Sequence, residues 1–472
     1  MAKKIIQSLI SGLRPKTKAA LPKAPAPVAE QIAAVDHRLP HEDISEAALK
    51  VIHTLRQHKY QAYLVGGGVR DLLLGLHPKD FDVATDATPE QVTRLFRNAM
   101  IIGRRFMIVH VRFGRETIEV TTFRGHHDST TAGKKDPHKS SRKTHSGMLT
   151  RDNVYGSMEE DALRRDFTVN ALYYDAHSRC VYDYTGGMAD LDARLIHIIG
   201  DPEQRYREDP VRMLRALRLA AKLDFDLEKN TAAQIIPLRH LLKDAAPARL
   251  FDEVLKLFAA GYAEDTLLLL QHYQLFDVLF PLTAEALQQQ ADYQRFVELA
   301  MLHTDERIRA DKRISPAYLF ATLLWPAFQQ ELGRVLAHSQ QQAAPLFQAV
   351  QVAADAVIQR TLPRITLPKR FSGPMKEIWQ LQFRLDQRHG GRAQKMLEHP
   401  RFRAAYDFLL LREEAGENLG LLGPWWTDYQ EADEAGRLEL VNRLDKPAAD
   451  GPRKRRRHGK AKGSEPFRPK GL

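Results

Sequence analysis

Three successive glycines, Gly66–Gly68, mark the first place where this chain could do chemistry. Apolar Leu64 and Val65 precede them, and the helix-like run Val69–Leu74 follows. The pattern predicts a strand, a glycine turn and the start of a helix. Backbone N–H groups at such a turn can face a phosphate, so the turn is a candidate phosphate-binding site.

Two aspartates, Asp80 and Asp82, follow this turn and alternate with apolar Phe81 and Val83. If the segment is a strand, its period of two places both carboxylates on one face. Neighbouring carboxylates repel each other and attract a divalent cation. A phosphate site beside a two-carboxylate metal site indicates metal-assisted transfer of a nucleotidyl group.

The glycine turn and the aspartate pair together resemble motif A of the class II nucleotidyltransferases, the family of bacterial poly(A) polymerases and tRNA CCA-adding enzymes. The resemblance implies that Gly67, Gly68 and Arg70 bind a nucleoside triphosphate. It also implies that Asp80 and Asp82 hold two Mg²⁺ ions. One ion would lower the pKa of the attacking 3′-hydroxyl, and the other would steady the triphosphate and the leaving pyrophosphate.

A third carboxylate commonly completes a two-metal site, and the sequence offers two candidates. Glu119 lies on a neighbouring predicted strand, on the side of Thr117 and Thr121. Asp166 lies in the segment RRDFTVNA, which resembles motif B of the same family. That resemblance favours Asp166 as a catalytic residue near the sugar or the metal, and it implies that Arg165 contacts phosphate. The residue patterns do not decide between Glu119 and Asp166.

A second set of charged residues begins at Asp209. Pro210 suits the first position of a helix, which makes Asp209 the predicted N-cap. Arg212, Arg215 and Arg218 then follow at every third residue along one polar stripe. The segment resembles the family motif that recognises the nucleobase, which implies that Asp209 and Arg212 read the base. Arg215 and Arg218 match its phosphate-binding arginines.

The chemistry of Asp209 and Arg212 limits which bases they can read. A carboxylate only accepts hydrogen bonds, and a guanidinium only donates them. Adenine and cytosine each offer an amino donor beside a ring-nitrogen acceptor, whereas guanine and uracil offer the reverse order. The pair can therefore select A and C without a template, but it cannot separate an A-adding enzyme from a CCA-adding enzyme.

Composition places these motifs in a basic protein. The chain has 472 residues, 43% of them hydrophobic and 27% charged, which is typical of a soluble protein with two to four domains. A single cysteine, Cys180, excludes an internal disulfide. We expect a cytoplasmic protein with no membrane span. The net charge of +11 points to a polyanionic partner.

The positive charge is concentrated near the C-terminus. Between Arg453 and Lys470 nine basic residues face one acid, Glu465, which gives the segment a net charge of +8. We predict a disordered tail that binds RNA through phosphate contacts. Its core is the run Arg453, Lys454, Arg455, Arg456 and Arg457.

The overall prediction is an α+β fold with a mixed sheet. Helices are expected over Ser45–His58 and from Thr88 onward, and strands over Ala62–Val65 and Phe81–Ala84. We assign 1–44 to a flexible basic lead-in, 45–185 to a catalytic head, 186–260 to a helical neck, 261–440 to a helical RNA-binding body and 441–472 to the tail. The histidine-containing segment His126–Arg151 shows no periodicity and is predicted to be a loop without a metal site.

Several further segments resemble bacterial poly(A) polymerases within the family. They are Ile101–Val111, Phe123–His127, Leu149–Asn153, Tyr206–Leu219, Ile378–Gln382 and His399–Asp407. The resemblance implies template-independent poly(A) addition to RNA 3′ ends from ATP, on mRNA and other transcripts rather than DNA, with RNA-decay proteins as possible partners. The alternatives are a tRNA CCA-adding enzyme and an RNA-binding regulator on an inactive transferase scaffold. Loss of Asp80 or Asp82 would have favoured the regulator, and both are present.

Overall fold

The computed structural model describes residues 30–33, 35–103, 107–125, 141–143, 149–152, 154–339 and 345–445. A mixed sheet occupies the head, and helices make up nearly all of the neck and the body. This arrangement confirms the predicted α+β architecture. Within the described ranges no helix is long and apolar enough to cross a membrane.

The head is built on one eight-stranded sheet with the order β1-β10-β9-β2-β3-β6-β5-β4. Two further pairs of strands, β7 with β8 and β11 with β12, lie outside this sheet. In chain order, all the described strands are β1 (Glu30–Ile32), β2 (Ala62–Val65), β3 (Asp82–Thr85), β4 (Ala99–Ile102), β5 (Ile108–Phe113), β6 (Glu116–Thr122), β7 (Ser141–Lys143), β8 (Leu149–Asp152), β9 (Leu172–Asp175), β10 (Cys180–Asp183), β11 (Leu195–Ile196) and β12 (Asp226–Leu227). Within this sheet β3 and β6 pair in parallel, whereas the other neighbours pair antiparallel.

Helices cover one part of the head and then continue through the neck and body. Those of the head are α1 (Glu46–Gln57), α2 (Gly67–Leu73), α3 (Pro89–Leu95) and α4 (Met158–Arg164). Those of the neck are α5 (Gly187–Asp192), α6 (Pro202–Glu208), α7 (Val211–Leu223), α8 (Lys229–Ala233), α9 (Ile235–Leu238) and α10 (Pro247–Phe258). The neck also contains a small parallel pair, β11 with β12.

The body is entirely helical in its described residues. Its helices are α11 (Ala263–His272), α12 (Phe276–Leu279), α13 (Pro281–Gln289), α14 (Ala291–Arg309), α15 (Pro316–Leu323), α16 (Trp325–Ser339), α17 (Leu346–Thr361), α18 (Lys369–Gln382), α19 (Arg392–Leu397), α20 (Phe402–Glu414), α21 (Leu422–Glu431) and α22 (Glu434–Asp445). Helix α22 crosses the predicted body–tail boundary at 440/441. The rest of the predicted tail lies outside the described residues.

Two predicted helix starts in the head are confirmed. The Ser45 side chain accepts a hydrogen bond from the Ala48 N–H at the start of α1. At α3, Thr88 and Gln91 form a reciprocal capping box, and Pro89 occupies the first helical position. These caps satisfy backbone donors that have no partner within a helix.

The predicted strand Phe81–Ala84 is shifted, because β3 begins at Asp82. The preceding strand β2 ends at Val65, which pairs with Asp82, so no residue of β2 is left to pair with Asp80. Asp80 and Phe81 pack against the start of α2 instead: a Cβ at Gly68 would lie 3.5 Å from the Asp80 carbonyl oxygen. Asp80 therefore lies just before β3, and the strand period that was expected to align the two carboxylates applies only from Asp82 onward.

Two segments expected to be irregular contribute strands. Within the predicted lead-in, Glu30–Ile32 pairs antiparallel with β10 and forms one edge of the sheet. Within the predicted loop His126–Arg151, β7 pairs antiparallel with β8. The histidines of that loop and Met1–Ala29 of the lead-in lie outside the described residues.

One hydrophobic core runs from the head sheet through the neck into the body. The predicted apolar stripe of α7, formed by Val211, Leu214, Leu217 and Ala221, is buried in it. A second, smaller core around Trp426 joins α20 to α21. Because α7 shares its core with the sheet, the charged face of α7 is held at a defined position against the head.

Candidate active site

The glycine turn lies at the junction of β2 and α2. Gly66 has a φ of 79°, a left-handed conformation that favours glycine. A Cβ atom at Gly66 would lie 3.5 Å from Asp82 Oδ2 and 3.6 Å from Arg165 Nη1. The turn, one carboxylate and one guanidinium therefore meet at a single point of the head.

Carboxylates crowd around Asp82. Glu119 on β6 is its register partner across the parallel β3–β6 pair, and exposed Asp80 lies just before the strand. Burial raises the pKa of Asp82 to about 6, and repulsion from Glu119 and Asp80 adds to this shift while Arg165 opposes it. The site thus holds negative charge that a cation would relieve.

The carboxylates at this site fit an Mg²⁺ ion that is bound partly by the protein and partly by the phosphates of a substrate. Among the residues that the structure describes, no three His, Cys, Asp or Glu side chains lie close enough together to hold a metal ion by themselves. Mg²⁺ is usually held by one or two carboxylates together with substrate phosphates. Asp82 and Asp80, beside a glycine turn suited to phosphate, provide that arrangement.

Arg165 is held rigidly at the edge of the site. Its Nε donates to the Tyr173 hydroxyl at 2.9 Å, and its Nη2 donates to Asp161 Oδ2 at 3.1 Å. Asp161 also binds Arg124 and keeps a lowered pKa despite its burial, chiefly because of the Arg165 and Arg124 charges. Arg165 Nη1 makes a long 3.5 Å bond to the Asn170 carbonyl and lies beside the glycine turn, 3.6 Å from the position of a Cβ at Gly66.

Asp166 faces the neck rather than the carboxylate cluster. Arg215 of α7 donates to Asp166 Oδ2, with Nε at 2.8 Å, and Asn170 Nδ2 donates to Oδ1 at 3.3 Å. Although Asp166 is largely buried, the charge and hydrogen bonds of Arg215 hold its pKa well below the usual range. Of the two candidates for a third carboxylate, the structure brings Glu119 to Asp82 and ties Asp166 to Arg215. A catalytic role for Asp166 stays a prediction.

Arg70 supports the glycine turn from inside the protein. Its side chain is buried, and it donates to Asp71 Oδ1 and to Asn170 Oδ1. Asp71 in turn accepts from Lys222 Nζ of α7 at 2.7 Å. The structure therefore places Arg70 in a link between head and neck, not on an open nucleotide-facing surface.

The predicted base-reading pair lies at the turn between α6 and α7. Helix α7 begins at Val211, one residue later than predicted, with Pro210 at the N-cap. Asp209 still accepts from the Val211 N–H at 3.3 Å. Both of its carboxylate oxygens are held by Arg249 of α10, at 2.6 and 2.7 Å. This bidentate contact orients the carboxylate.

The remaining arginines of the polar stripe also have partners. Arg212 Nη1 donates to the Arg205 carbonyl at 2.8 Å and to Glu208 at 3.2 Å. Arg218 Nε donates at 2.8 Å to Glu253, whose side chain is buried in α10. The stripe therefore connects α7 to the head, to α6 and to α10.

Several residues that shape the site were not found from the sequence: Asp161, Arg205, Lys222, Arg249 and Glu253. Each acts on a partner that lies elsewhere in the fold or carries no motif of its own. Lys222 and Asp71, for example, are separated by 151 positions. The RNA-binding run Arg453–Arg457 lies outside the described residues.

Three family models match the chain. They are the poly(A) polymerase head domain over residues 62–197, the probable RNA and SrmB-binding site of polymerase A over 224–287, and the polymerase A arginine-rich C-terminus over 342–462. Poly(A) polymerase I of Escherichia coli O157:H7 is 47% identical over 89% of this chain and 90% of its own length. The chain belongs to the bacterial poly(A) polymerase family.

More distant members of the poly(A) polymerase family agree with this assignment. The Haemophilus influenzae poly(A) polymerase I is 41% identical over 89% of this chain and 94% of its own length. By contrast, the Bacillus pumilus CCA-adding enzyme is 36% identical over only 51% of this chain. A solved tRNA nucleotidyltransferase complexed with a primer tRNA and an ATP analogue shares the fold, with a TM-score of 0.53 at 22% identity over 83% of this chain and 99% of its own.

Proposed function

We propose that this protein is a polynucleotide adenylyltransferase that adds a template-independent poly(A) tail to RNA 3′ ends from ATP and releases pyrophosphate. One observation carries the proposal: Asp82, Glu119 and Arg165 meet at the glycine turn of Gly66. Each member of this group can bind one component of the reaction. The turn and Arg165 can bind the triphosphate, and the carboxylates can bind the metal ions.

Asp80 and Asp82 would hold two Mg²⁺ ions, with Glu119 as a further acidic neighbour. When bound, the ions lower the pKa of the RNA 3′-hydroxyl and stabilise the negative charge on the phosphates and on pyrophosphate. Arg165 Nη1 donates to a triphosphate oxygen beside the turn. Its Asp161 and Tyr173 contacts hold the guanidinium in place, so little reorganisation is needed during the reaction.

Asp209 and Arg212 would select the base. The amino group of adenine can share the carboxylate of Asp209 with Arg249, because each carboxylate oxygen has two lone pairs. A cytosine can make the same two hydrogen bonds but is smaller, so a pocket built for a purine leaves it loosely placed. Such misplacement costs on the order of a hundredfold in rate.

We further infer the cellular location of the enzyme, its RNA substrates, the roles of its domains and its class of protein partner. The proposed setting is the cytoplasm, with mRNA and other transcripts as substrates and RNA turnover as the outcome. The domain division at about 45, 186, 261 and 441 follows the same proposal: catalysis in the head, base reading in the neck and RNA binding in the body and tail. RNA-decay proteins are the corresponding class of protein partner.

The test uses the purified full-length protein with Mg²⁺ and an unstructured RNA oligonucleotide. With ATP alone we expect addition of many A residues, and with CTP alone a rate lower by roughly a hundredfold. Asp80→Ala and Asp82→Ala should each abolish addition while the thermal melting transition stays cooperative. An Asp86→Ala variant, which removes an exposed carboxylate from the far end of β3, is the matched control and should remain active.

The alternative activity would give a different product. A CCA-adding enzyme would add two C and one A to a tRNA that lacks its 3′ end and would then stop. If this protein does so and ignores the unstructured oligonucleotide, the poly(A) proposal is wrong. Near-normal activity of either aspartate variant would instead show that the proposed centre is misplaced.

A further inference from the structure

A cavity of about 540 Å³ lies in the body, and none of its lining residues belongs to the proposed active site. It is enclosed by the C-terminal half of α14, the start of α15, the middle of α18 and one face along the length of α20. Two of the segments that resemble bacterial poly(A) polymerases, Ile378–Gln382 and His399–Asp407, supply part of its wall. Neither segment contributes to catalysis or to base reading as described above.

The floor of the cavity is mostly apolar. Ile314, Ala317, Ile378 and Leu411 line it together with the ring of Tyr318. Tyr318 packs edge-on against Phe408, with ring centroids 5.9 Å apart. Its hydroxyl makes no hydrogen bond with any other residue that the structure describes. Burial raises the pKa of Tyr318, so the hydroxyl stays protonated and can donate.

Four arginines, Arg307, Arg313, Arg401 and Arg403, surround the opening. Arg403 pairs with Asp407 at 2.9 Å, and Arg307 lies 3.9 Å from the same carboxylate. Arg401 pairs with Glu377 at 3.1 Å. Arg313 has no carboxylate partner within the described chain.

The ion pairs at the opening are weak enough to be exchanged for phosphate. The Arg403 side chain is 74% exposed, and those of Arg307 and Arg401 are nearly half exposed. Exposed pairs of this kind contribute little free energy, because water and salt screen them. Arg313 can bind a phosphate without losing any partner.

We propose that this cavity binds single-stranded RNA upstream of the 3′ end, with a base on the apolar floor and the flanking phosphates at Arg313 and Arg403. The inference rests on the proposed function, because it takes the substrate to be an RNA 3′ end. An apolar slot with a cationic opening matches the way in which proteins hold single strands without reading sequence: bases rest on apolar and aromatic surfaces while basic side chains follow the backbone. The cavity volume lies within the range of known ligand pockets.

An acidic protein segment is less suited to the site. Three carboxylates, Glu306, Asp407 and Glu414, also line the cavity and would repel closely spaced acidic side chains. An RNA strand carries only one negative charge per nucleotide, and its flat bases can rest on the apolar floor of the cavity. The hydroxyl of Tyr318 can then donate to an acceptor on the base edge, and all four bases carry such acceptors.

The test compares two cavity variants with a matched surface variant. Arg313→Gln removes the unpaired charge, and Ala404→Phe fills the cavity without changing the charge. The control is Arg334→Gln, an arginine of the body that pairs with Glu285 and Glu331 away from the cavity. Fluorescence anisotropy measures the Kd of a long oligoadenylate over a series of salt concentrations, and extension of a trinucleotide primer measures activity at the active site alone.

Ala404→Phe should raise the Kd for the long oligoadenylate roughly fivefold or more, the loss expected for one stacked base, and Arg313→Gln should also raise it through the loss of one phosphate contact. Arg313→Gln should also reduce the slope of log Kd against log salt by about 0.7, the value for one phosphate contact on a single strand. Extension of the trinucleotide primer and the Arg334→Gln protein should be unchanged.

Two outcomes would overturn the inference. One is unchanged binding of the long oligoadenylate by both cavity variants when their melting transitions match that of the parent protein. The other is an equal loss on the trinucleotide primer, which would assign the effect to the active site. Failure of the proposed function is distinguishable, because a protein that binds RNA through the cavity but adds no A residues would contradict only the function.

Discussion

The Asp82 carboxylate is largely buried and is repelled by the carboxylates of Glu119 and Asp80. Both effects destabilise its ionised form. The pKa of its carboxyl rises from 3.8 to about 6, so ionisation at neutral pH costs free energy in the folded protein. A metal ion or substrate complex can recover this cost when it binds. At the proposed active site, this destabilising carboxylate would become favourable once a cation binds to it.

Asp82→Asn should stabilise the protein by about 3 kcal/mol at neutral pH, from the difference between pKa values of 3.8 and about 6. A raised carboxyl pKa lowers stability above the folded-state value, and the penalty disappears as the pH falls below the unfolded value. The gain should therefore be full above about pH 6 and vanish near pH 4. Urea unfolding across this pH range measures it, and poly(A) addition should be lost.

Asp80→Asn is the matched control for this prediction. It makes the same change in charge at an exposed position beside the same site. Its stability should change by less than about 0.5 kcal/mol, as is usual for surface substitutions, while activity should again be lost. A stability gain in Asp82→Asn that does not depend on pH would contradict the assignment of its effect to ionisation.

Arg249 orients the carboxylate of Asp209 through two parallel hydrogen bonds. Arg249→Lys keeps the charge but cannot reproduce the two-pronged contact. The KM for ATP should rise about tenfold, corresponding to the loss of one charge-assisted hydrogen bond, and kcat should change less. Steady-state kinetics with ATP and CTP measure both effects.

The control for Arg249 is Arg360→Lys, which changes an exposed arginine of α17 that makes a single contact with Glu331. It should leave both kinetic constants unchanged. If Arg249→Lys lowers kcat and leaves the KM for ATP unaltered, Arg249 acts on the chemical step and not on the placement of the base.

Helices α2 and α7 are linked by a chain of polar contacts. Lys222 binds Asp71, Asp71 binds Arg70, Arg70 binds Asn170, and Asn170 joins the Asp166–Arg215 pair. These contacts connect the helix that carries the glycine turn to the helix that begins at the base-reading motif. The elements proposed to hold the two ends of the nucleotide are thus tied together across the head–neck boundary.

A double-mutant cycle tests this link. Lys222→Met and Asp71→Asn should each destabilise the protein, with a coupling free energy of about 1 kcal/mol, because the pair is partly screened by solvent. Each should also lower kcat/KM for ATP, and Lys222→Arg should restore most of the loss. Denaturant unfolding and single-turnover kinetics provide the measurements.

Lys256→Met serves as the control for the cycle, since Lys256 is an exposed lysine of the neighbouring helix α10. It should change neither stability nor kinetics measurably. Additivity of the Lys222 and Asp71 effects would show that the contact does not couple the two helices.

The densest positive charge in the sequence follows the last described helix. The described core ends near α22, whereas the segment of net charge +8 follows it in sequence. Truncation after Asp445 should weaken binding of long RNA and lower its salt slope by about 0.7 for each RNA phosphate that the tail neutralises in the full-length protein. The KM for ATP should stay the same, because the proposed nucleotide site lies in the head and neck.

Replacing the five residues Arg453–Arg457 by glutamine in the full-length protein is the companion variant. It should reproduce most of the change in salt dependence while keeping the length of the tail. An unchanged salt slope in both proteins would show that the tail does not bind RNA phosphates.

Local sequence patterns were sufficient for the features that depend on near neighbours. The caps at Ser45 and Thr88, the glycine turn at Gly66 and the buried stripe of α7 are confirmed. Each of these depends on residues within a few positions of one another, so backbone hydrogen bonding and side-chain periodicity are enough to predict it. The motifs also predicted the family, because their order along the chain is uncommon.

Only the tertiary structure decided which charged groups face one another. The parallel pairing of β3 with β6 places Glu119 beside Asp82. The packing of α7 against the head brings Arg215 into an ion pair with Asp166. The tertiary structure also starts β3 at Asp82, one residue later than the predicted strand Phe81–Ala84, which leaves Asp80 before the strand. Such pairings depend on strand order and helix packing over long sequence separations, and a side chain carries no local signal of a partner that the fold brings to it from another element.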